Sequence, residues 1–226
     1  DLFFSATNGL PANYAGAITL TNSTTSAIGY AKPGAPAQLL ARMSTNSVGY
    51  LTLFLANSAD MVDFSSFPSL QLAFSGVTNY TGTFIPYNGN YSFKTEGAVV
   101  TNAMVMVDGA SVAGHVKVVG SSGGMFLTGV NTFTGGVEVD GSTVVVGHVS
   151  ALGTQATIGV PDVELRNGAV LNFAAEMDVN AFIANRLKTT SSGFILLGAA
   201  NAGKSVDLSN HPGVVVGAGE LTLDYT

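Results

Sequence analysis

Hydrophobic residues are spread along this chain in short groups, each bounded by Gly, Asn or Asp. Groups such as AMVMV, GGVEV and STVVV have about the length of a β-strand, four to eight residues. Within Gly136–Asp140, valines alternate with acidic residues, so one face of this strand is apolar and the other is charged. Helical periodicity is confined to Ala37–Met43 and Met177–Leu187. The pattern predicts an all-β protein with one short helix per repeat unit.

Two segments of the chain are copies of one another. Residues 37–72 align without a gap with residues 181–216, at a shift of 144 positions. About one third of the aligned positions are identical, which indicates an internal duplication. The first copy continues into Tyr80–Phe84, whereas the second reaches Asp224–Thr226, where this segment would begin. We therefore expect a single solenoid domain over residues 1–226 that forms part of a longer repeat array.

Short, closely spaced strands suit two architectures. One is a solenoid whose coils stack parallel strands, and the other is an antiparallel β-sandwich. The chain has 28 Gly residues and only 10% charged residues, and its mean hydropathy is +0.39. Scarce charge and polar, Gly-rich corners favour the solenoid, with the sandwich as the alternative. At roughly 20–25 residues per coil the chain would form on the order of ten coils.

Composition also excludes several classes of protein. The charged fraction is far below the roughly 25% of ordinary soluble domains, which argues against a helical bundle with solvated outer faces. No apolar stretch approaches the roughly 20 residues of a membrane-spanning helix. The chain has no Cys, so it forms neither a disulfide framework nor a thiolate metal site. The net charge of -6 without a basic patch makes nucleic acid an unexpected partner.

One run of residues carries a family resemblance. Asn131–Val139 reads N-T-F-T-G-G-V-E-V and is followed by G-S-T-V-V-V-G, ending at Gly147, and then by S-A-L-G. This run resembles the autotransporter-associated β-strand repeat, also called the passenger-associated transport repeat, whose pattern is N-T-[YF]-T-G-G-T, a short strand, G-T-L and S-A-L-G. Val137 and Val144 depart from the usual Thr and Leu. The resemblance implies a right-handed parallel β-helix belonging to a large secreted or surface-displayed bacterial protein.

The same run has a physical interpretation. Glycine permits the tight corners that precede a strand, and Asn and Thr side chains can hydrogen-bond to backbone groups in turns. We therefore expect these residues to build the coils rather than to perform chemistry. The structural motif comprises Asn131, Thr132, Phe133, Thr134, Gly135, Gly136, Gly141 and Gly147.

Residues 198–205 match a phosphate-binding pattern. They satisfy G-x-x-x-x-G-K-[ST], in which Lys204 would reach the outer phosphates and Ser205 would hold magnesium. A helix must follow such a loop, but Pro212 lies only a few residues further on. We therefore do not expect nucleotide binding.

Four carboxylates invite comparison with polysaccharide-cleaving β-helix enzymes. Glu138 and Asp140 share a strand face, and Asp162 or Glu164 would follow one coil later. Glycoside hydrolysis needs two carboxyl groups flanking one bond. The interpretation we favour is a solvated strand face without catalytic function.

Two other sets of residues give only weak evidence for a catalytic or metal-binding site. A triad of Ser142, His148 and Asp140 can be drawn, but no nucleophile-elbow motif supports it. The three histidines, which include His115 and His211, have no second ligand at metal-binding spacing. We predict no catalytic residue and no metal site.

Five aromatic residues crowd residues 80–93 and would suit sugar stacking if they were exposed. Packing in the core or between coils is the favoured interpretation. The residues are Tyr80, Phe84, Tyr87, Tyr91 and Phe93.

These observations predict a non-catalytic structural module of an extracellular or cell-surface fibrous protein, similar to an autotransporter passenger and associated with the bacterial outer membrane. It would contribute to surface assembly or adhesion by stacking, without a cofactor. The expected partners are neighbouring repeats of the same protein or self-associating copies. The alternative function is a carbohydrate-binding adhesin, whose partners would be glycans. We expect no transmembrane helix.

Overall fold

The computed structural model describes residues 2–4, 18–22, 27–30, 33–97 and 99–217. Its strands are short, because Gly, Asn or a turn interrupts each apolar group. The strands are β1 (Leu2–Phe4), β2 (Ala27–Tyr30), β3 (Val48–Leu53), β4 (Asn57–Ser58), β5 (Val62–Asp63), β6 (Ser69–Ser75), β7 (Asn79–Tyr80), β8 (Phe84–Ile85), β9 (Asn90–Glu96), β10 (Val99–Asn102), β11 (His115–Val119), β12 (Gly124–Leu127), β13 (Val137–Asp140), β14 (Thr143–Val146), β15 (Val163–Arg166), β16 (Ala169–Phe173), β17 (Gly193–Leu197) and β18 (Val214–Val216).

Two eight-stranded sheets dominate the structure. The first sheet has the order β1-β2-β3-β6-β9-β11-β13-β15, and the second has the order β18-β17-β16-β14-β12-β10-β7-β4. From β3 to β16 the chain passes from the first sheet to the second and back, and we call each such round trip a circuit. A two-stranded sheet, β5-β8, lies on the return path.

Every strand pairing among the described residues is parallel. The predicted β-rich fold is therefore confirmed, and the antiparallel sandwich considered as an alternative is wrong. The reason lies in the connections, because neighbouring strands of one sheet are joined through the other sheet rather than by hairpins. In the first sheet, paired residues are between 21 and 26 positions apart, as in Val48↔Ser69 and Val137↔Val163.

The core lies between the two sheets and consists of stacked rows of apolar side chains. In the first sheet one row of paired residues, each at most 1% exposed, runs through Ile28, Leu51, Leu72, Phe93, Val118, Val139 and Leu165. In the second sheet the corresponding row is Val100, Met125, Val144, Leu171 and Ile195. Strands β9, β11 and β13 bury alternate residues, whereas β3 buries five residues in a row.

Two short α-helices confirm the predicted helical stretches. They are α1 (Ala35–Leu40) and α2 (Val179–Arg186), and two 3-10 turns occur at Tyr87–Gly89 and Ala199–Asn201. The Asp178 carboxylate caps α2 by accepting a hydrogen bond of 2.9 Å from the Ala181 amide. Helix α1 packs against β5, and α2 occupies the return path that follows β16.

The two repeat copies share local structure. The Ser65 amide donates to the Asp63 carboxylate at 2.8 Å, and the Ser209 amide donates to the Asp207 carboxylate at 2.9 Å. Strands β3 and β6 of the first copy correspond to β17 and β18 of the second, and each pair is adjacent. The copies nevertheless join different sheets, since β3 and β6 belong to the first and β17 and β18 to the second. The sequence did not reveal this shift.

Candidate functional site

Asn131 is the centre of the sequence motif and links three segments of the chain. Its side chain is 1% exposed. The carboxamide oxygen accepts a hydrogen bond of 2.8 Å from the Met106 amide, and the carboxamide nitrogen donates to the Ala151 carbonyl at 2.6 Å. Met106 lies one circuit before Asn131, and Ala151 lies one circuit after it. The Asn side chain therefore supplies hydrogen bonds where the return path is not a regular strand.

Thr134 makes a second connection between circuits. Its amide and its hydroxyl donate to the two oxygens of Asp108 at 2.7 and 3.0 Å, and the Gly114 amide donates to the same carboxylate at 2.6 Å. Burial would raise the pKa of Asp108, but these hydrogen bonds outweigh it and hold the pKa below its usual value. The Thr132 amide donates to the Met106 carbonyl at 3.0 Å, while the Phe133 ring is fully buried in the core.

The motif glycines lie where circuits approach closely. Gly136 has a φ of 87°, and a Cβ there would meet the carbonyl oxygen of Asp162 in the next circuit. Gly141 has a φ of 62° and faces the Gly120 carbonyl. A Cβ at Gly135 would meet the Gly114 carbonyl, and one at Gly147 would meet the Phe126 ring. Glycine is therefore required at these four positions, either because the backbone has a positive φ or because a neighbouring atom leaves no room for a side chain.

The carboxylates predicted to share a strand face are joined to basic residues in a row that we call the charge ladder. Its paired residues are Lys117, Glu138, Glu164 and Lys188, one from each successive circuit, and Arg166 lies beside them. Glu138 contacts Lys117 at 2.8 Å and Arg166 at 3.4 Å. Glu164 contacts Arg166 and Lys188, each at 3.0 Å. The two glutamates are each 14% exposed, and the cations that surround them are more exposed.

Within this arrangement, Glu164 lacks the electrostatic environment of a general acid. A general acid needs a raised pKa, but the hydrogen bond from Arg166, followed by the one from Lys188, lowers the pKa of Glu164 below its ordinary value of 4.5. Asp140 accepts a hydrogen bond of 2.6 Å from the Asn167 side chain. On this strand face, carboxylates and cations from neighbouring strands thus compensate one another's charge.

Asp162 takes part in a different interaction. Its carboxylate pairs with Arg186 through bonds of 2.9 and 2.7 Å, and both side chains are 12% exposed. The same guanidinium group also donates to the carbonyl oxygens of Leu152 and Gly153. This role of Arg186 was not predicted from the sequence, although the identity of Arg42 and Arg186 in the two copies indicated that the residue is important.

The side chains of the triad considered from the sequence, Ser142, His148 and Asp140, hydrogen-bond to other residues. The Ser142 hydroxyl is buried and hydrogen-bonded to the Thr95 hydroxyl at 2.9 Å. The His148 ring accepts a hydrogen bond of 3.1 Å from the Ser150 amide, and Asp140 is bound to Asn167. Each of the three side chains thus has a partner outside the triad.

The Lys204 side chain of the candidate phosphate-binding segment hydrogen-bonds to other residues of the chain. Its ammonium group donates to the Met177 carbonyl at 3.1 Å and to the Asn201 side chain at 3.0 Å. No helix follows it within residues 204–217, which agrees with the argument against a phosphate-binding loop. Asn201, which sequence reasoning missed, is fully buried and also donates to the Phe173 and Ala175 carbonyls.

The histidines lie in three separate environments. His115 contacts the Gly135 carbonyl at 3.0 Å, and buried His211 donates to the Leu187 carbonyl at 3.0 Å. Within the described ranges, no three His, Asp or Glu side chains converge in a group that could hold a metal ion.

The aromatic stretch packs inside the protein. Tyr80, Phe84, Tyr91 and Phe93 are each at most 4% exposed. The Phe84 ring contacts the Tyr91 and Phe93 rings at centroid distances of 5.9 and 5.5 Å. These four rings stabilise the interior, as favoured from the sequence, and present no surface for sugar stacking.

Comparisons of this chain with protein-family models, curated proteins and solved structures gave no match. The resemblance to the autotransporter repeat therefore rests on the residues of the motif. In the part of the chain that the structure describes, no helix has both the length and the apolar character needed to cross a membrane.

Proposed function

We propose that this chain is a non-catalytic structural module of an extracellular or cell-surface fibrous protein, similar to an autotransporter passenger. Its circuits are the coils of a right-handed parallel β-helix, and it contributes to surface assembly or adhesion by stacking with neighbouring repeats. The observation that carries the proposal is the order of strands in the two parallel sheets, in which each circuit adds one strand to each sheet.

The motif supports a building role. Asn131 and Thr134 bind atoms in adjacent circuits, and Gly135 and Gly136 allow those circuits to approach. All of these contacts join one circuit to the next. A rigid rod needs such contacts because each circuit is stabilised mainly by its neighbours.

The charge ladder also supports stacking. Each glutamate in it is adjacent to at least one cation, so the strands carry little mutual repulsion. A module with these properties can be extended along its axis.

Small-angle X-ray scattering on the single chain and on two copies joined in tandem tests the proposal. Eight strands spaced by about 4.8 Å give each sheet a length of roughly 35 Å along the stacking direction. The tandem protein should be a rod of nearly twice the single chain's length and the same cross-section. Two globules joined by a flexible linker would overturn the proposal.

A glycan array on the single chain tests the absence of a ligand. The structural module should bind no glycan reproducibly. Reproducible binding that is lost when exposed side chains of one face are substituted would instead support the carbohydrate-binding adhesin.

A further inference from the structure

Exposed apolar side chains are concentrated on one side of the molecule. Twelve large hydrophobic residues are exposed in the part of the chain that the structure describes, and nine of them lie on the return paths, which lead from a second-sheet strand to the next first-sheet strand. These nine are Met61, Ile85, Val105, Val107, Val112, Val130, Val149, Ile158 and Val160. Helix α1 packs at one end of this side, against β5, and α2 lies on the return path after β16. Among the described residues, no α-helix lies on the return paths between them.

A groove of about 450 Å³ lies within this uncovered region. Ile85 and Pro86 from one return path and Val105 and Val107 from the next line it. The Val107 amide donates to the Tyr91 hydroxyl at 3.1 Å, which fixes this part of the groove to β9. The volume falls within the roughly 300–1,000 Å³ of typical ligand-binding clefts.

The groove has an acidic rim. Asp108 lines it, and Asp63, which is paired in register with Ile85, lines an adjoining cleft that shares Ser65 with the groove. Neither carboxylate takes part in any of the ion pairs found among the described residues, and no Lys or Arg lines the groove. Hydrogen bonds from Ser65 and from Gly114 and Thr134 fix the two carboxylates in place. An occupant with apolar and positively charged groups would match both features of the groove.

Among the described residues of a second copy, the basic side chains are already engaged, and Lys204 donates to the Met177 carbonyl and to the Asn201 side chain. Lys94, Lys117, Arg166, Arg186 and Lys188 already contact carboxylates of their own chain. Using them in the groove would break those ion pairs. Charge complementarity therefore favours a different protein that offers unpaired basic side chains.

We propose that this groove binds an extended polypeptide segment of another protein in which apolar and basic residues alternate. The apolar side chains enter between Ile85 and Val107, and the basic side chains contact Asp63 and Asp108. This interaction is additional to stacking and does not depend on it.

Fluorescence anisotropy with labelled synthetic peptides tests the proposal. A peptide of about twelve alternating Leu and Lys residues should bind saturably, and alternating Leu/Glu and Ser/Lys peptides should bind at least about tenfold more weakly. Binding should weaken between about 20 mM and 300 mM NaCl, because salt screens the rim charges. Saturable binding of the Leu/Glu peptide with equal affinity would overturn the proposal.

Two variants locate the binding, with circular dichroism as the check that each is folded. Asp63→Asn keeps the acceptor for the Ser65 amide but removes the charge, and should weaken binding about twofold to fivefold and reduce its salt dependence. The double substitution of Val105 and Val107 by Ser should weaken binding at least about tenfold.

Matched controls come from the other repeat copy and the other sheet. Asp207 has the same hydrogen bond as Asp63 but lies in the second copy, and Val215 is exposed on the second sheet. Asp207→Asn and Val215→Ser should leave binding unchanged. Equal weakening by these controls would show non-specific attraction and refute the groove. Sedimentation that detects a dimer lost in the Val105/Val107 variant would assign the groove to a second copy and also refute the proposal.

Discussion

The guanidinium group of Arg186 donates two hydrogen bonds to the carboxylate of Asp162, one of 2.9 Å from Nε and one of 2.7 Å from Nη2. Its other hydrogen bonds, of 2.9 and 2.8 Å, reach the Gly153 and Leu152 carbonyls. One side chain thus joins the end of α2 to the two segments that precede β15. The planar geometry of guanidinium is required for this arrangement.

Arg186→Lys should destabilise the protein, because an ammonium group cannot replace four hydrogen bonds in these directions. We expect a loss of about 1–3 kcal/mol in the free energy of unfolding, measured by urea denaturation. The control is Lys188→Met, which removes a partly exposed ion pair to Glu164 and should cost about 1 kcal/mol or less. Equal losses in the two variants would contradict the interpretation.

Asn131→Leu keeps the approximate size of the side chain but leaves the Met106 amide and the Ala151 carbonyl without their partner. Each buried group left unsatisfied costs about 1–3 kcal/mol. The unfolding midpoint should therefore fall markedly. Asn185→Ala, which removes an exposed hydrogen bond within α2, should change stability by about 0.5 kcal/mol or less. If the two variants were equally stable, Asn131 would not link the circuits.

Comparing Gly136→Ala with Gly97→Ala distinguishes the cost of an unfavourable backbone conformation from the cost of a steric clash. Both glycines have positive φ, 87° and 76°, so each alanine incurs roughly 1–2 kcal/mol of backbone strain. A Cβ at Gly97 meets no atom within 4 Å, whereas one at Gly136 meets the Asp162 carbonyl. Thermal unfolding should show the larger loss for Gly136→Ala. Similar melting temperatures would mean that adjacent circuits can move apart there.

Stability should decline in acid partly because of Glu164. The Arg166 hydrogen bond holds the pKa of this carboxyl below its ordinary value of 4.5 in the folded protein. The resulting stabilisation is present above that value and is lost as the pH falls through the lower, folded pKa. Glu164→Gln should therefore make the unfolding free energy less dependent on pH in this range. High salt should reduce the difference between the two proteins, and a difference insensitive to both pH and salt would contradict this cause.

Much of the fold follows from local patterns in the sequence. Alternation in Val137–Asp140 predicts which side chains face the core, and the equivalent helical stretches of the two copies both form helices. These features depend on neighbours a few residues apart, which a sequence pattern displays. The copies also reproduce the Asp63–Ser65 and Asp207–Ser209 hydrogen bonds, since both depend on residues only two positions apart.

The remaining features depend on contacts between distant residues. The partners of Glu138 and Glu164 come from other circuits, and their register is set by the lengths of the return paths. Asn57 and Asn201 are aligned in the repeat, yet Asn57 is an exposed strand residue and Asn201 is buried. Identity between copies therefore did not imply an identical environment. The sheet to which each copy belongs also could not be predicted from a local sequence pattern, because it depends on pairing between distant strands.

The displacement of the second copy from the first sheet to the second affects any longer protein built from this unit. If each further unit is displaced in the same direction, equivalent side chains will not lie along a straight line. They will instead follow a spiral around the fibre. A partner that recognises one feature of the unit would then meet it at different angles along the fibre, so several partner molecules could bind without crowding one another on a single side.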